Sequence, residues 1–316
     1  MADTYPIHLW PRRLQQALDA LPPGAPPRPV PVVAPCRRPR WPWGVSLAVV
    51  VAVGIIVGGV AGLMVVGLGL GLIGVGYAWE AQQYRQQYQH YQHQQEIYQR
   101  QKQVYEQWLK EHESEVQQLR QPKIQQALQK MVAYPEPAKY PKPGVSEAYF
   151  HSFLNQFFPG MIHVNLALGD PIKTQKYPYE PDFVYIDEEL NLYLDIEIDE
   201  PYFYDQKTKQ VKPHHFHDQK RDEFFLAAGW VVVRFSEYQV VTQPQSCCKY
   251  IAEVIAQVQQ TPLDTRWALI PDLEPEPGWD ENKARQLIRQ RARYHYLKQY
   301  LPKDIFQAQK DYILQL

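Results

Sequence analysis

One stretch constrains this chain more than any other: from Gly44 to Ala78 there is no charged residue at all. As a single helix the run would rise about 52 Å, well past the roughly 30 Å hydrocarbon core of a bilayer. Either one strongly tilted span or a hairpin of two short helices meeting near Gly58–Gly62 accommodates it, and the length mismatch favours the hairpin. Gly58 and Gly62 also have the small-xxx-small spacing that lets helices approach closely, so the same segment suits a homo-oligomer. Six arginines and two aspartates precede it. The last of these arginines, Arg37, Arg38 and Arg40, stand beside Trp41 and Trp43, as expected at a membrane interface. The positive-inside bias then places the N-terminus in the cytoplasm, and a hairpin returns the remaining chain to that side. The expectation is a membrane protein with its polar bulk facing the cytoplasm, hidden behind an average mean hydropathy of -0.47.

The rest divides by composition. Residues 1–43 pass from an amphipathic stretch, Ile7–Leu21, into a proline-rich tether suited to polyproline II. Residues 44–78 are the transmembrane segment. In residues 79–133 a tyrosine recurs every seventh position, Tyr84, Tyr91, Tyr98 and Tyr105 after Tyr77, which predicts a long helical stalk with a tyrosine seam. Residues 134–143 hold four prolines and form a linker. Residues 144–260 carry nine basic and seventeen acidic side chains, and residues 261–316 make a basic helical extension.

The acidic segment holds the chemistry. Ser146 caps an amphipathic helix whose apolar face is Tyr149, Phe150, Phe153, Leu154 and Phe157. Two alternating strands follow around the turn Asp187-Glu188-Glu189, reading as a hairpin. In the second, Leu192, Leu194, Ile196 and Ile198 take one face, so Tyr193, Asp195, Glu197 and Asp199 take the other. Like charges in such a row raise one another's pKa unless a cation offsets them, and a hard divalent ion bound by oxygen ligands is the natural partner. The competing reading is an outer sheet face decorated with solvated acids.

Glu147 on a first helix, Pro181-Asp182 at a strand and Glu197 on the next strand resemble the PD-(D/E)XK nuclease superfamily. The text from His217 to Phe235, with Asp218, Arg221, Gly229-Trp230 and Arg234-Phe235, is similar to the branch that includes very-short-patch-repair endonucleases. The resemblance covers residues 144–260. It implies an α/β restriction-endonuclease-like domain and a metal-dependent endonuclease hydrolysing phosphodiester bonds, with Mg²⁺ or Mn²⁺ as cofactor and DNA rather than RNA as partner. Asp182 and Glu197 become metal ligands, Glu147 and Asp199 complete the catalytic set, and Asp218 and Arg221 support the site or bind the substrate backbone; Arg234 either anchors the strand end by a salt bridge or contacts substrate phosphate. One departure stands out: Asp199 occupies the position of the superfamily's lysine. Reading Asp195-Ile196-Glu197 as the acidic element instead moves Glu197 to the lysine position. Two alternatives to a nuclease stay open, an inactive nucleic-acid-binding module of the same fold and a membrane scaffold that assembles partners through the stalk.

Outside this constellation, Cys247 and Cys248 begin a helix where buried thiols are expected, and three cysteines with no metal-ligand spacing argue against a disulfide scaffold. From Lys283 to Lys303 there are seven basic and no acidic residues. This run fits either a polyanion such as nucleic acid or a helix docked on the acidic domain.

Overall fold

The three consecutive valines of Val231–Val233 and the alternating Leu192–Asp199 both favour extended backbone, and they pair in parallel at the centre of a five-stranded sheet. The computed structural model describes residues 4–35, 59–132, 135–137, 144–168, 179–205, 207–214 and 219–316. In chain order the elements are β1 Thr4–Tyr5, β2 Ile7–Leu9, α1 Arg12–Leu18, α2 Gly59–Glu111, α3 Glu113–Leu128, β3 Pro135–Pro137, α4 Glu147–Phe157, β4 Ile162–His163 and β5 Leu166–Leu168. They continue with β6 Phe183–Asp187, β7 Leu192–Asp199, β8 Tyr202–Asp205, β9 Gln210–Pro213, α5 Gln219–Ala227, β10 Val231–Ser236, α6 Glu237–Thr242 and α7 Pro244–Gln259. The chain closes with β11 Glu276–Pro277, α8 Glu281–Arg289, α9 Ala292–Tyr300, α10 Lys303–Ala308 and α11 Lys310–Ile313.

The chain separates into two compact units, Met1–Leu21 with Ser114–Leu316, and Pro22–Glu113. In the first, the sheet order is β2-β10-β7-β6-β4, with β10 and β7 parallel and the other neighbours antiparallel. The β6–β7 pair is the hairpin that alternation predicts; Asp187 Oδ1 accepts from the Leu190 amide at 3.0 Å to shape its turn, and Asn191 takes a positive φ of 53°. A hairpin cannot join parallel strands, so the chain crosses from β7 to β10 through β8, β9 and α5. At the end of α5, Gly229 has φ 91°, and a Cβ there would sit 3.1 Å from the Met131 backbone, so only glycine fits.

Both faces of β7 are buried along its whole length. On the apolar face, Phe150 of α4 meets Phe183 and Phe235 edge-on, and Tyr250 of α7 meets Phe235 likewise. On the other face Trp230 stacks on Tyr193 and packs against Phe225 of α5. The acids are therefore enclosed under a helix, which removes the reading of a solvated outer face. The segment Ile7–Leu9 adds an edge strand to β10, with Val233 opposite His8, and Arg120 donates to the Ala20 carbonyl at 2.9 Å. These contacts tie the chain's first residues into the domain.

The second unit joins residues 22–35, which form neither helix nor strand, to α2. Gln95 Nε2 donates to the Val32 carbonyl at 3.1 Å and to the Tyr91 hydroxyl at 3.0 Å. Tyr84, Tyr91, Tyr98 and Tyr105 are all half-buried, whereas Tyr88 is exposed. The seven-residue repeat thus does what its period dictates, holding one row of rings on one face. The side chain of Tyr77 lies outside the described residues.

The membrane expectation is corrected. Among the described residues, no helix is long and apolar enough to cross a membrane, which overturns the transmembrane segment, the helical hairpin and the membrane location drawn from residues 44–78. Residues 44–58 lie outside the described residues. From Gly59 the helix runs unbroken through Gly62 and on into the Gln- and Tyr-rich segment, so apolar and polar sequence share one 53-residue element.

Candidate active site

Strand alternation and register assemble the site. Tyr193, Asp195, Glu197 and Asp199 share one face of β7, and the parallel register sets Val232, Arg234 and Ser236 beside Asp195, Glu197 and Asp199. On the other side Phe183 pairs with Ile196, which brings Asp182, just before β6, next to Glu197. The Asp182 amide donates to Glu197 Oε1 at 3.3 Å, and the Ile198 amide donates to Asp182 Oδ2 at 2.7 Å. Helix α5 lays Arg221 and Asp222 over this face.

The two ends of the acidic row are treated differently. Asp199 receives Arg234 in a bidentate pair at 2.9 and 2.5 Å and the Tyr5 hydroxyl at 3.0 Å, while a third nitrogen of Arg234 reaches Asp222 at 2.9 Å. Burial pushes the Asp199 carboxyl up, but Arg234 outweighs it and holds the group below the ordinary carboxylate value. Asp195 is fully buried, yet neither of its carboxylate oxygens accepts a hydrogen bond from the described residues; the Arg221 guanidinium stands 3.9 Å away. Burial, and then the neighbouring Glu197, raise Asp195 well above its ordinary range, and the same two causes raise Asp182. Glu197 itself contacts Arg221 directly and lies 3.9 Å from Arg234.

Glu147 arrives from the start of α4, where its Oε1 accepts the Gly144 amide. A Cβ on Gly144 would fall 2.7 Å from Glu147 Oε1, so a larger residue there would displace the end of that side chain. Burial pushes Glu147 to about 7, with Glu197 and Glu237 adding repulsion. Glu200 is also pushed to about 7 by burial, against the pull of Arg293. Ser146 does not cap α4 through its side chain; its hydroxyl reaches Glu237 at 3.3 Å.

The structure therefore brings together Glu147, Asp182, Glu197, Asp199, Arg221 and Arg234, while Asp218 lies outside the described residues. Arg234 is 4% exposed, with its guanidinium committed to Asp199 and Asp222. Four further participants carried little or no sequence signal. Tyr5 and Arg293 come from the chain's two ends and show none. Glu200 simply extends the acidic run. Glu237 follows Ser236, which with Gln239 forms a capping box that marks a helix start and puts Glu237 in the first turn.

Oxygen donors alone and an excess of carboxylate suit a hard divalent cation. The orphaned oxygens of buried Asp195, with Asp182 and Glu197 beside it, are the feature of this structure that fits one. Among the described residues no group of three or more His, Cys, Asp or Glu side chains is arranged to hold a metal ion. The reason is local: Asp182 Oδ2 is turned to the Ile198 amide, and Arg221 supplies the positive charge beside Glu197. Neither a family model, a curated protein nor a solved structure matches the chain.

Proposed function

We propose that the buried acidic end of this sheet is a hydrolytic centre for nucleic-acid phosphodiesters, DNA before RNA, of the PD-(D/E)XK kind. The observation that carries this reading is Asp195: a wholly buried carboxyl whose oxygens, as charged groups, accept no hydrogen bond from the described residues, set between Glu197 and Arg221. Folding does not strand a carboxyl this way for stability, because an unsatisfied buried acid costs free energy. Asp182, Asp195 and Glu197 would hold Mg²⁺ or Mn²⁺, with Arg221 yielding its contact to Glu197. A bound ion would supply Lewis acidity and a water of lowered pKa. Glu147, near neutrality, is able to take or give a proton at Oε2, since its Oε1 is engaged by Gly144. Arg234 and Tyr5 hold Asp199 in place, so this residue does not take over the work of the superfamily's lysine; it braces β7 against β10.

A second reading, an inactive binding module of the same fold, is favoured by the Arg221–Glu197 contact, which places a fixed cation where a metal's charge would act. One experiment separates them. Full-length protein is titrated calorimetrically with Mn²⁺ and assayed on single-stranded, duplex and branched DNA and RNA. The hydrolytic reading expects Mn²⁺ binding and cleavage that fall at least about 100-fold in Asp182→Asn and Glu197→Gln, with Glu147→Gln less affected. Binding of nucleic acid with neither Mn²⁺ uptake nor cleavage, unchanged in Arg221→Met, establishes the module instead.

A further inference from the structure

Helix α9 faces two ways. Inward, Arg293 is 1% exposed and clasps Glu237 through Nε at 2.6 Å and Nη2 at 2.7 Å, while Tyr296 donates to Glu237 at 2.6 Å and the Arg293 amide donates to the Tyr202 hydroxyl at 2.8 Å. Glu237 also receives Ser146, the residue before Glu147, and Arg293 lies 3.7 Å from Glu200. The helix is thus locked to the rim of the carboxylate cluster. Outward, Arg291 and Lys298 flank the Tyr294 ring at 5.5 and 5.6 Å from its centroid. Arg291, in the turn just before the helix, and Lys298 within it thus share one ring. Lys283, Arg289, Arg291, Lys298 and Lys303 are exposed, and no salt bridge among the described residues engages any of them; only Arg285 in this run pairs at the surface, with Glu281.

A cluster of buried carboxylates repels a polyanion, so a nucleic-acid substrate needs compensating charge close by. The outward stripe of α9 is exposed and, through Arg293 and Tyr296, tied to that cluster. We propose that the outer face of α9, centred on Arg291, Tyr294 and Lys298 and continued by Arg289 at the end of α8, is the docking surface for the sugar–phosphate backbone of the nucleic acid. This rests on the reading of the carboxylate cluster as a nucleic-acid site, and it adds where the substrate is held. The contacts are to phosphate and carry no sequence preference, so affinity is uniform across sequences and strongly salt-dependent.

The test is fluorescence anisotropy of a labelled 30-mer DNA with full-length protein over a range of NaCl concentrations. Arg291 sits in the left-handed region at φ 48°, which asparagine tolerates, so Arg291→Asn with Lys298→Gln removes both charges without straining the turn. The slope of log affinity against log salt is expected to shrink by about 2, while Lys298→Gln alone, should the double variant fail to fold, shrinks it by about 1. An unchanged slope in the folded variants overturns the proposal, as does loss of binding to phosphatidylglycerol vesicles with DNA binding intact, which would assign the stripe to a lipid surface. Mn²⁺ titration of the same variants keeps the two readings apart: the ion isotherm is expected to match wild type. Failure of wild type to bind Mn²⁺ sinks the hydrolytic centre and leaves the docking surface to its own salt slope.

Discussion

Asp199 and Asp195 lie four residues apart on one face of one strand, both almost wholly buried, and they illustrate opposite uses of a carboxylate. Asp199 has a bidentate arginine and a tyrosine hydroxyl, and its pKa falls; Asp195 has no donor among the described residues, and its pKa rises. A paired charge repays its desolvation, and an unpaired one stays neutral or waits for a cation. Partner inventory, more than burial or residue type, separates the acid that braces the sheet from the acid that is available for chemistry.

The comparison is broken most directly at Arg234. Replacing it with methionine leaves Asp199 and Asp222 buried without their cation, and the expected loss is about 3–5 kcal/mol in urea unfolding. A loss below about 1 kcal/mol would mean that the pairing is incidental and that Arg234 is free to serve substrate. Asp199→Lys, which restores the superfamily's residue, sets two cations side by side and is expected to destabilise the fold by a comparable amount without raising activity.

The pH dependence sharpens it next. Glu147 and Glu200 have pKa values raised from 4.5 to about 7, so the unfolded chain releases these protons first. Their contribution to stability is complete below about pH 4.5 and is lost as the pH rises to about 7. Asp199 runs the other way: its pKa is lowered, so its contribution is present above the ordinary aspartate value and disappears as the pH falls below it. Urea unfolding is expected to give lower stability at pH 7.5 than at pH 5, a difference that narrows in Glu147→Gln. Mn²⁺ affinity should rise with pH, since Asp182 and Asp195, both held above their ordinary range by burial and by Glu197, must lose their protons to bind.

Asp195→Asn is a smaller change with the opposite sign. It removes a carboxyl that has no donor among the described residues, so at pH 7.5 stability is expected to rise on the order of 1 kcal/mol while Mn²⁺ affinity drops at least about tenfold. A loss of stability would show that Asp195 has a partner equivalent to Arg234.

Much of this contrast was legible from sequence only in part. The alternation of Leu192–Asp199 gave the acidic face, and the Gly229-Trp230 turn into a valine-rich strand gave β10, because both depend on local periodicity and backbone freedom. Which acids would be paired was not legible, because the partners come from distant segments: Tyr5 lies 194 residues from Asp199, and Arg293 lies 56 from Glu237. The uncharged run misled for a related reason. Its length and lack of charge speak of a bilayer, but a helix that carries seven glycines and continues into glutamines and tyrosines is decided by its whole course.

The smallest effect belongs to Tyr5. Its hydroxyl donates to Asp199 Oδ2 at 3.0 Å, and its ring stacks on Trp279 at 5.2 Å between centroids. Tyr5→Phe keeps the stacking and deletes only the donor. Because Arg234 Nε still bonds the same oxygen, Asp199 is not orphaned, and the expected cost is about 1 kcal/mol, the ordinary net worth of one hydrogen bond. The variant also asks whether β1 and β2 are fixed by this contact or by backbone pairing to β10 and β11. Pairing alone predicts that amide exchange at Ile7–Leu9 stays as slow as in wild type, whereas faster exchange confined to that strand would make the tyrosine the clasp that holds the N-terminal segment on the sheet. A loss as large as that of Arg234→Met would overturn the ranking itself, since it would make the hydroxyl, and not the guanidinium, the group that keeps Asp199 charged.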